Sequence, residues 1–376
     1  MSRSFWEATT FYAKQDVIIA GGGLMGLWTA LALKRKNPRL KVTILEKHPI
    51  PTGASTRNAG FACFGSPSEI LSDLEKLGEE KTWELIEKRF LGIQKTRKTL
   101  GDDAIDFDNC GGFEVFREGD KMLYAVQENL SLLNEYMTNI TGIRDSFSWN
   151  KPALKAFRLS GFDAMVENRL EGGLHSGKLV QQLTRNCLNE NVQIMNGQEV
   201  YGYKAPGNEV VVETSSGNIH CDRLVLASNA FTQGICNTAP IKPARGQVIV
   251  TAPIKDLALK GTFHFDEGFY YFRNIGNRVL LGGARNKSFS EEETHALDTS
   301  VIIQTELNRF LQAHVLKNED YTIDYKWSGI MGFTEDKLPL LKVVDSNVLA
   351  VTACNGMGVA LSPIIAEEAA AIINEI

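Results

Sequence analysis

The stretch VIIAGGGLMGLWTALALKRKNPRLKVTILEK, residues 17–47, restricts the possible folds more than any other part of the chain. Residues 17–20 form a short apolar run with strand character. Gly21, Gly23 and Gly26 then follow in the spacing G-x-G-x-x-G. The first glycine allows a tight turn, the second lets a pyrophosphate approach bare backbone, and the third lets a helix lie close to the strand. The helix predicted from Leu24 and Met25 onward carries small and apolar residues on its buried face. Its unpaired N–H groups and positive dipole end face the turn. Residues 41–46 then read as a second strand ending at Glu46, twenty residues beyond Gly26, followed by Lys47. A carboxylate at that distance suits ribose hydroxyls and argues against a 2′-phosphate. Strand, glycines, helix, strand and acid in this order predict a dinucleotide-binding unit.

The rest of the composition narrows the class. A chain of 376 residues exceeds one simple core, so two domains are expected. A net charge of −5 without a clustered basic tract argues against a nucleic-acid partner. No apolar leader opens the chain, and no run is long enough for a membrane span. The six cysteines are scattered without a C-x-x-C pair, which suits reduced, buried thiols in a cytoplasmic protein. The histidines show no metal spacing. There is no internal repeat or low-complexity segment.

The glycine motif alone does not separate NAD from FAD. The segment after the second strand, PTGASTRNAGFACFGSPSEI, favours the flavin. Gly53, Ala54, Ser55 and Thr56 can offer N–H and hydroxyl donors, Arg57 can neutralise phosphate, and Asn58 can both donate and accept. Gly60 lets backbone pass close to a flat ring. An NAD-linked dehydrogenase remains the alternative from the residues alone.

GASTRNAGF, EGGLHSGKLVQQL, VLASNAFT, KPARGQVIV, GFYYFRNIGNRVLLGGAR, WSGIMGFTEDKLPLL and CNGMGVALSPIIAEEAA occur in that order over nearly the whole chain. In this series the sequence resembles the D-amino-acid oxidase superfamily of FAD-dependent oxidoreductases, and is most similar to its glycine, sarcosine and γ-glutamylputrescine oxidases. The resemblance implies an α/β fold, with a discontinuous Rossmann-like FAD-binding domain and an α+β substrate domain built on a mainly antiparallel sheet. The implied FAD-domain pieces are residues 1–100 (with the helices that follow residue 66), 171–240 and 321–376. The substrate domain takes 101–170 and 241–320. Flavin contacts are implied for Ser55, Thr56, Arg57, Asn58, Gly60, Phe61 and Ala62, for the backbone of Val200, and for Gly356, Met357 and Gly358. The last three bring a helix N-terminus to the flavin N1 edge, where negative charge develops on reduction.

The activity implied is oxidation of a C–N bond in a small amine or amino acid, by hydride transfer to flavin N5, giving an imine that water hydrolyses. Orientation and dryness matter more there than a strong base, and no catalytic acid or base stands out. The electron acceptor is O2 or, alternatively, a quinone or other carrier. A noncatalytic flavoprotein is a third reading. Substrate contacts are expected from GFYYFRN, where Phe269, Tyr271 and Arg273 share one strand face. Arg273 then either pairs with a substrate carboxylate or ends in solvent.

Three departures from the family pattern matter. Relatives carry a carboxylate-clamping arginine near WSGIMGF, where this chain has Ile330, Met331, Gly332 and Phe333, and Met331 takes the place of a flavin-linking cysteine. The stretch VLLGG lacks the oxygen-activating lysine, and Arg57-Asn58 replaces a flavin-linking histidine. Noncovalent FAD is the expectation. Further along, residues 176–191 read as a helix capped by Ser176, residues 192–200 as one buried strand, and residues 290–314 as one amphipathic helix.

Overall fold

The computed structural model describes residues 2–237 and 240–376. Two eight-stranded sheets organise them. In the first, Val348–Thr352, Gly217–Leu226, Gln15–Ala20, Val42–Glu46 and Gln193–Asn196 run parallel in that spatial order. These central strands are almost wholly apolar, as sheets covered on both faces require. One face packs against Leu24–Lys36, Ser176–Asn189 and the C-terminal helix Gly358–Glu375, and that core extends over Glu79–Leu100. Gly92 is where the two longest of these helices touch, since a Cβ there would strike the Ala360 carbonyl. No described helix is long and apolar enough to cross a membrane.

The second sheet runs Ile323–Phe333, Lys242–Thr251, Arg278–Gly283, Tyr270–Ile275, Thr262–Phe265, Gly112–Phe116, Ala164–Asn168 and Phe147–Trp149. Every pairing is antiparallel except that of Thr262–Phe265 with Gly112–Phe116. Its core is aromatic, with Phe113, Phe263 and Phe272 stacked in series.

Several local expectations need correction. Ile323–Phe333 is an edge strand of the second sheet, paired along Lys242–Thr251, so the last return to the first sheet begins near Leu340 rather than at 321. Residues 192–200 are not one strand. Gly197 turns the chain at φ +73°, and Val200 opens the next strand, Val200–Lys204. His175, not Ser176, caps the following helix, its Nδ1 accepting from the Lys178 amide. Ser176 instead donates to Asn58. The expected helix over 290–314 is broken into Phe289–Glu292 and Val301–Phe310, extended by a wide turn at Leu311–Val315. The break follows from Glu292. Its carboxylate is buried and accepts from Arg245, Gln247 and Ser300, which draws the chain inward between the two helical pieces.

Candidate active site

The two sheets meet over one continuous cavity of about 790 Å³, a size suited to a large organic ligand. At one end lies the glycine turn. Gly21 sits at φ +118°, and a Cβ there would meet the Ala227 carbonyl at 2.6 Å. A Cβ on Gly23 would meet Ser55 Oγ at 2.7 Å, while Gly26 abuts the Gly21 carbonyl and so sets the helix against the strand. These are three different demands for the absence of a side chain, one for each glycine of the motif.

Around the turn, the Leu24 amide donates to Ser55 Oγ at 2.9 Å. The buried Glu46 carboxylate accepts from Gly22 at 2.9 Å and His48 at 3.1 Å, which fixes it at the cavity wall. Lys47 pairs with Glu199 at 2.6 Å. Gln198 Oε1 and, further along, Thr352 Oγ1 are buried without a hydrogen-bond partner, although both residues line the cavity. An unpaired acceptor and an unpaired hydroxyl on the cavity wall suit a polar ligand that carries hydrogen-bond donors.

Residues Gly21, Gly23, Leu24, Met25, Glu46, Lys47, Ser55, Arg57, Asn58, Phe61, Val200, Gly356, Met357 and Gly358 all line this space. Gly26, Thr56, Gly60 and Ala62 lie behind the wall. Thr56 turns its hydroxyl to the Pro51 carbonyl. Asn58 spends its side chain on the loop itself, donating to Ala54 and Ser55 and accepting from Gly60 and Ser176. Arg57 donates to the carbonyls of Thr52 and Ser328, both at 2.8 Å.

The chain enters the last helix through three left-handed residues, Ala353, Asn355 and Gly356. Two of them carry a Cβ, a strained conformation of the kind found at functional turns. Asn355 Oδ1 accepts from the Thr334 amide at 2.9 Å and tethers this turn to the second sheet.

The other end of the cavity is aromatic. Phe61 meets Tyr271 and His264 edge-on at ring distances of 5.9 and 5.2 Å. Phe269, Met331 and Phe333 complete the wall. A Cβ on Gly246 would meet the Met331 methyl at 3.0 Å and the Tyr271 hydroxyl at 3.6 Å, so this glycine makes room for both. Burial pushes the Tyr271 hydroxyl up to about 12, with the charge of Arg285 opposing, so it stays protonated at neutral pH.

Arg273 does not line the cavity. It is neither in the pocket nor in solvent, because its guanidinium is buried and donates to the carbonyls of Gly60 (2.5 Å) and Leu174 (3.0 Å). Gly173 leaves the space the guanidinium occupies. Arg273 therefore ties the substrate-side sheet to the loop carrying residues 53–62.

Other groups at this end escaped the sequence reading. His264 pairs across the hairpin with Tyr271 and so shares its face. Its Nδ1 lies 3.6 Å from Glu69, its Nε2 has no partner, and burial holds it below the ordinary histidine range. Asp73 gathers Lys337 at 2.9 Å and Arg89 at 3.5 Å at the cavity edge. Beneath the wall, burial pushes Glu114 and Glu171 up to about 8, though Ser68 donates to the first and the Phe64 and Gly65 amides to the second. Arg285, two residues beyond the end of Arg278–Gly283, also lines the cavity.

Comparison with known proteins agrees with this geometry. The family model described as FAD dependent oxidoreductase (DAO) matches residues 16–372. The γ-glutamylputrescine oxidoreductase of Escherichia coli (strain K12) is 26% identical over 367 residues, covering 92% of this chain and 80% of its own. Glycine oxidase from Geobacillus kaustophilus has the same fold at a TM-score of 0.77, with 21% identity and 96% and 95% of the two chains covered. L-proline dehydrogenase from P. horikoshii also gives 0.77, at 18% identity and 96% and 94% coverage.

Proposed function

This chain belongs to the DAO family of FAD-dependent oxidoreductases, and from that premise we propose that it oxidises the C–N bond of a small amine or amino acid to an imine, which water then hydrolyses. FAD, when bound, supplies the two-electron acceptor for that bond. The glycine turn, the Leu24 and Met25 amides and Ser55 would hold its diphosphate, Glu46 its ribose, the Val200 backbone its adenine, and Gly356–Gly358 the far edge of its ring.

The observation that carries this reading is the continuity of the cavity, which joins the bare glycine turn to an aromatic chamber. Phe61, Tyr271, Met331 and Phe333 exclude water from a bound amine and restrict its orientation, which is what this oxidation needs from the protein. His264, kept neutral by burial, adds no charge to the chamber. Noncovalent attachment is supported by Met331, whose thioether offers no attachment chemistry, and by Cys354, whose thiol burial pushes up to about 12.

The test is anaerobic mixing of the purified flavoprotein with secondary amines, D- and L-amino acids and γ-glutamylated amines. Bleaching of the visible flavin band by one group is the expected result. Failure of every compound would leave a noncatalytic flavoprotein. Air or a soluble quinone then re-oxidises the bleached protein, and peroxide release under air assigns O2 as acceptor over a carrier.

A further inference from the structure

We infer that Arg285 receives a carboxylate of the substrate, from a part of the fold other than Ile330–Phe333, which holds no cation. The inference deepens the proposed function and rests on it only for the identity of the ligand as substrate.

Arg285 lines the aromatic end of the cavity, and its guanidinium makes no hydrogen bond or ion pair with any described residue. The other cavity-lining arginines are engaged, Arg57 by two backbone carbonyls and Arg89 by Asp73 and the Phe64 carbonyl. Arg273 is spent on Gly60 and Leu174. The carboxylate best placed to neutralise Arg285 is Glu292, but it is fully occupied by Arg245, Gln247 and Ser300. A partly buried guanidinium without an acceptor is costly, and an incoming anion removes that cost.

The fold nevertheless holds it in place. Phe289 and Phe333 flank the guanidinium with ring centroids at 5.0 and 4.8 Å, leaving its in-plane N–H groups free. Ala284, just before it, adopts the left-handed conformation at φ 59°, fixed by its amide donating to the Phe269 carbonyl at 2.7 Å. Strain at a residue with a Cβ, next to an unpaired cation, is how a fold aims a binding group. Tyr271, whose hydroxyl has no hydrogen-bond partner among the described residues, lines the same cavity and offers a second donor. Planar guanidinium and phenol together suit a carboxylate better than a neutral amide.

The test uses calorimetric titration of the purified protein with benzoate and acetate, and with benzamide and acetamide as neutral partners. The wild type is expected to bind each carboxylate about 10- to 100-fold tighter than its amide, the range of a charge-assisted hydrogen bond. In R285Q that preference disappears while the melting temperature holds, and in R285K it is partly retained. Wild type without the preference, or R285Q keeping it, overturns the inference. Carboxylate binding that depends on Arg285 in a colourless protein would sustain the anion site while sinking the flavin reading. A coloured protein indifferent to R285Q would do the reverse.

Discussion

Replacing Arg273 by methionine separates a structural arginine from a substrate clamp. The buried guanidinium makes two charge-assisted bonds, to the Gly60 carbonyl, which also accepts from the Leu174 amide, and to the Leu174 carbonyl. Each such bond contributes about 1.5–3 kcal/mol, and removing the cation forfeits both and leaves the Leu174 carbonyl without its guanidinium donor, so the net loss is about 3–5 kcal/mol. For 376 residues at about 2.1 cal/mol/K each, unfolding entropy is about 0.8 kcal/mol/K, which turns that loss into a fall of about 4–6 °C in melting temperature. The loosened loop also carries Ser55 and Arg57, so flavin retention on dilution should weaken with it. Differential scanning calorimetry and the released-flavin fraction measure both. An unchanged melting temperature, together with a raised KM for anionic substrates alone, would refute the reasoning and return Arg273 to the pocket.

The other perturbations are simpler. Gly21→Val puts a branched side chain against the Ala227 carbonyl at a left-handed position, so the variant should lose FAD affinity at least tenfold by fluorescence titration of the stripped protein; retained affinity would deny the turn its role. Glu171→Gln tests the buried carboxyls. Because burial raises Glu171 from 4.5 to about 8, the protonated form favours folding, and that contribution is complete below about pH 4.5 and lost as pH rises towards 8. Between those values wild-type stability should fall relative to the variant by about 1.4 kcal/mol per pH unit, read from urea midpoints; parallel pH profiles would place Glu171 in a more solvated setting.

What could be read in the sequence was local. A glycine motif, a helix and an acid at fixed spacing specify the strand–turn–helix–strand unit through steric demands within thirty residues, and the cavity walls at Gly21, Gly23 and Glu46 follow from it. Strand alternation likewise places Tyr271 at the cavity. Arg273 shares its face in the pattern, yet its fate depends on carbonyls at Gly60 and Leu174, remote in sequence. His264 reaches the site only through hairpin register, and Arg285 through a left-handed alanine, a conformation that residue type does not announce. The break near residue 292 has the same origin, since a glutamate with good helix propensity is drawn into a buried network by Arg245 and Gln247 from another strand. Long-range partners decide these positions, and hydrophobic periodicity carries no record of them.

The most direct measurement of the central claim is the visible absorption spectrum of the purified chain, before and after acid precipitation. A yellow protein whose colour passes wholly into the supernatant is the predicted result. A protein that stays colourless, even after refolding with FAD, would contradict the account.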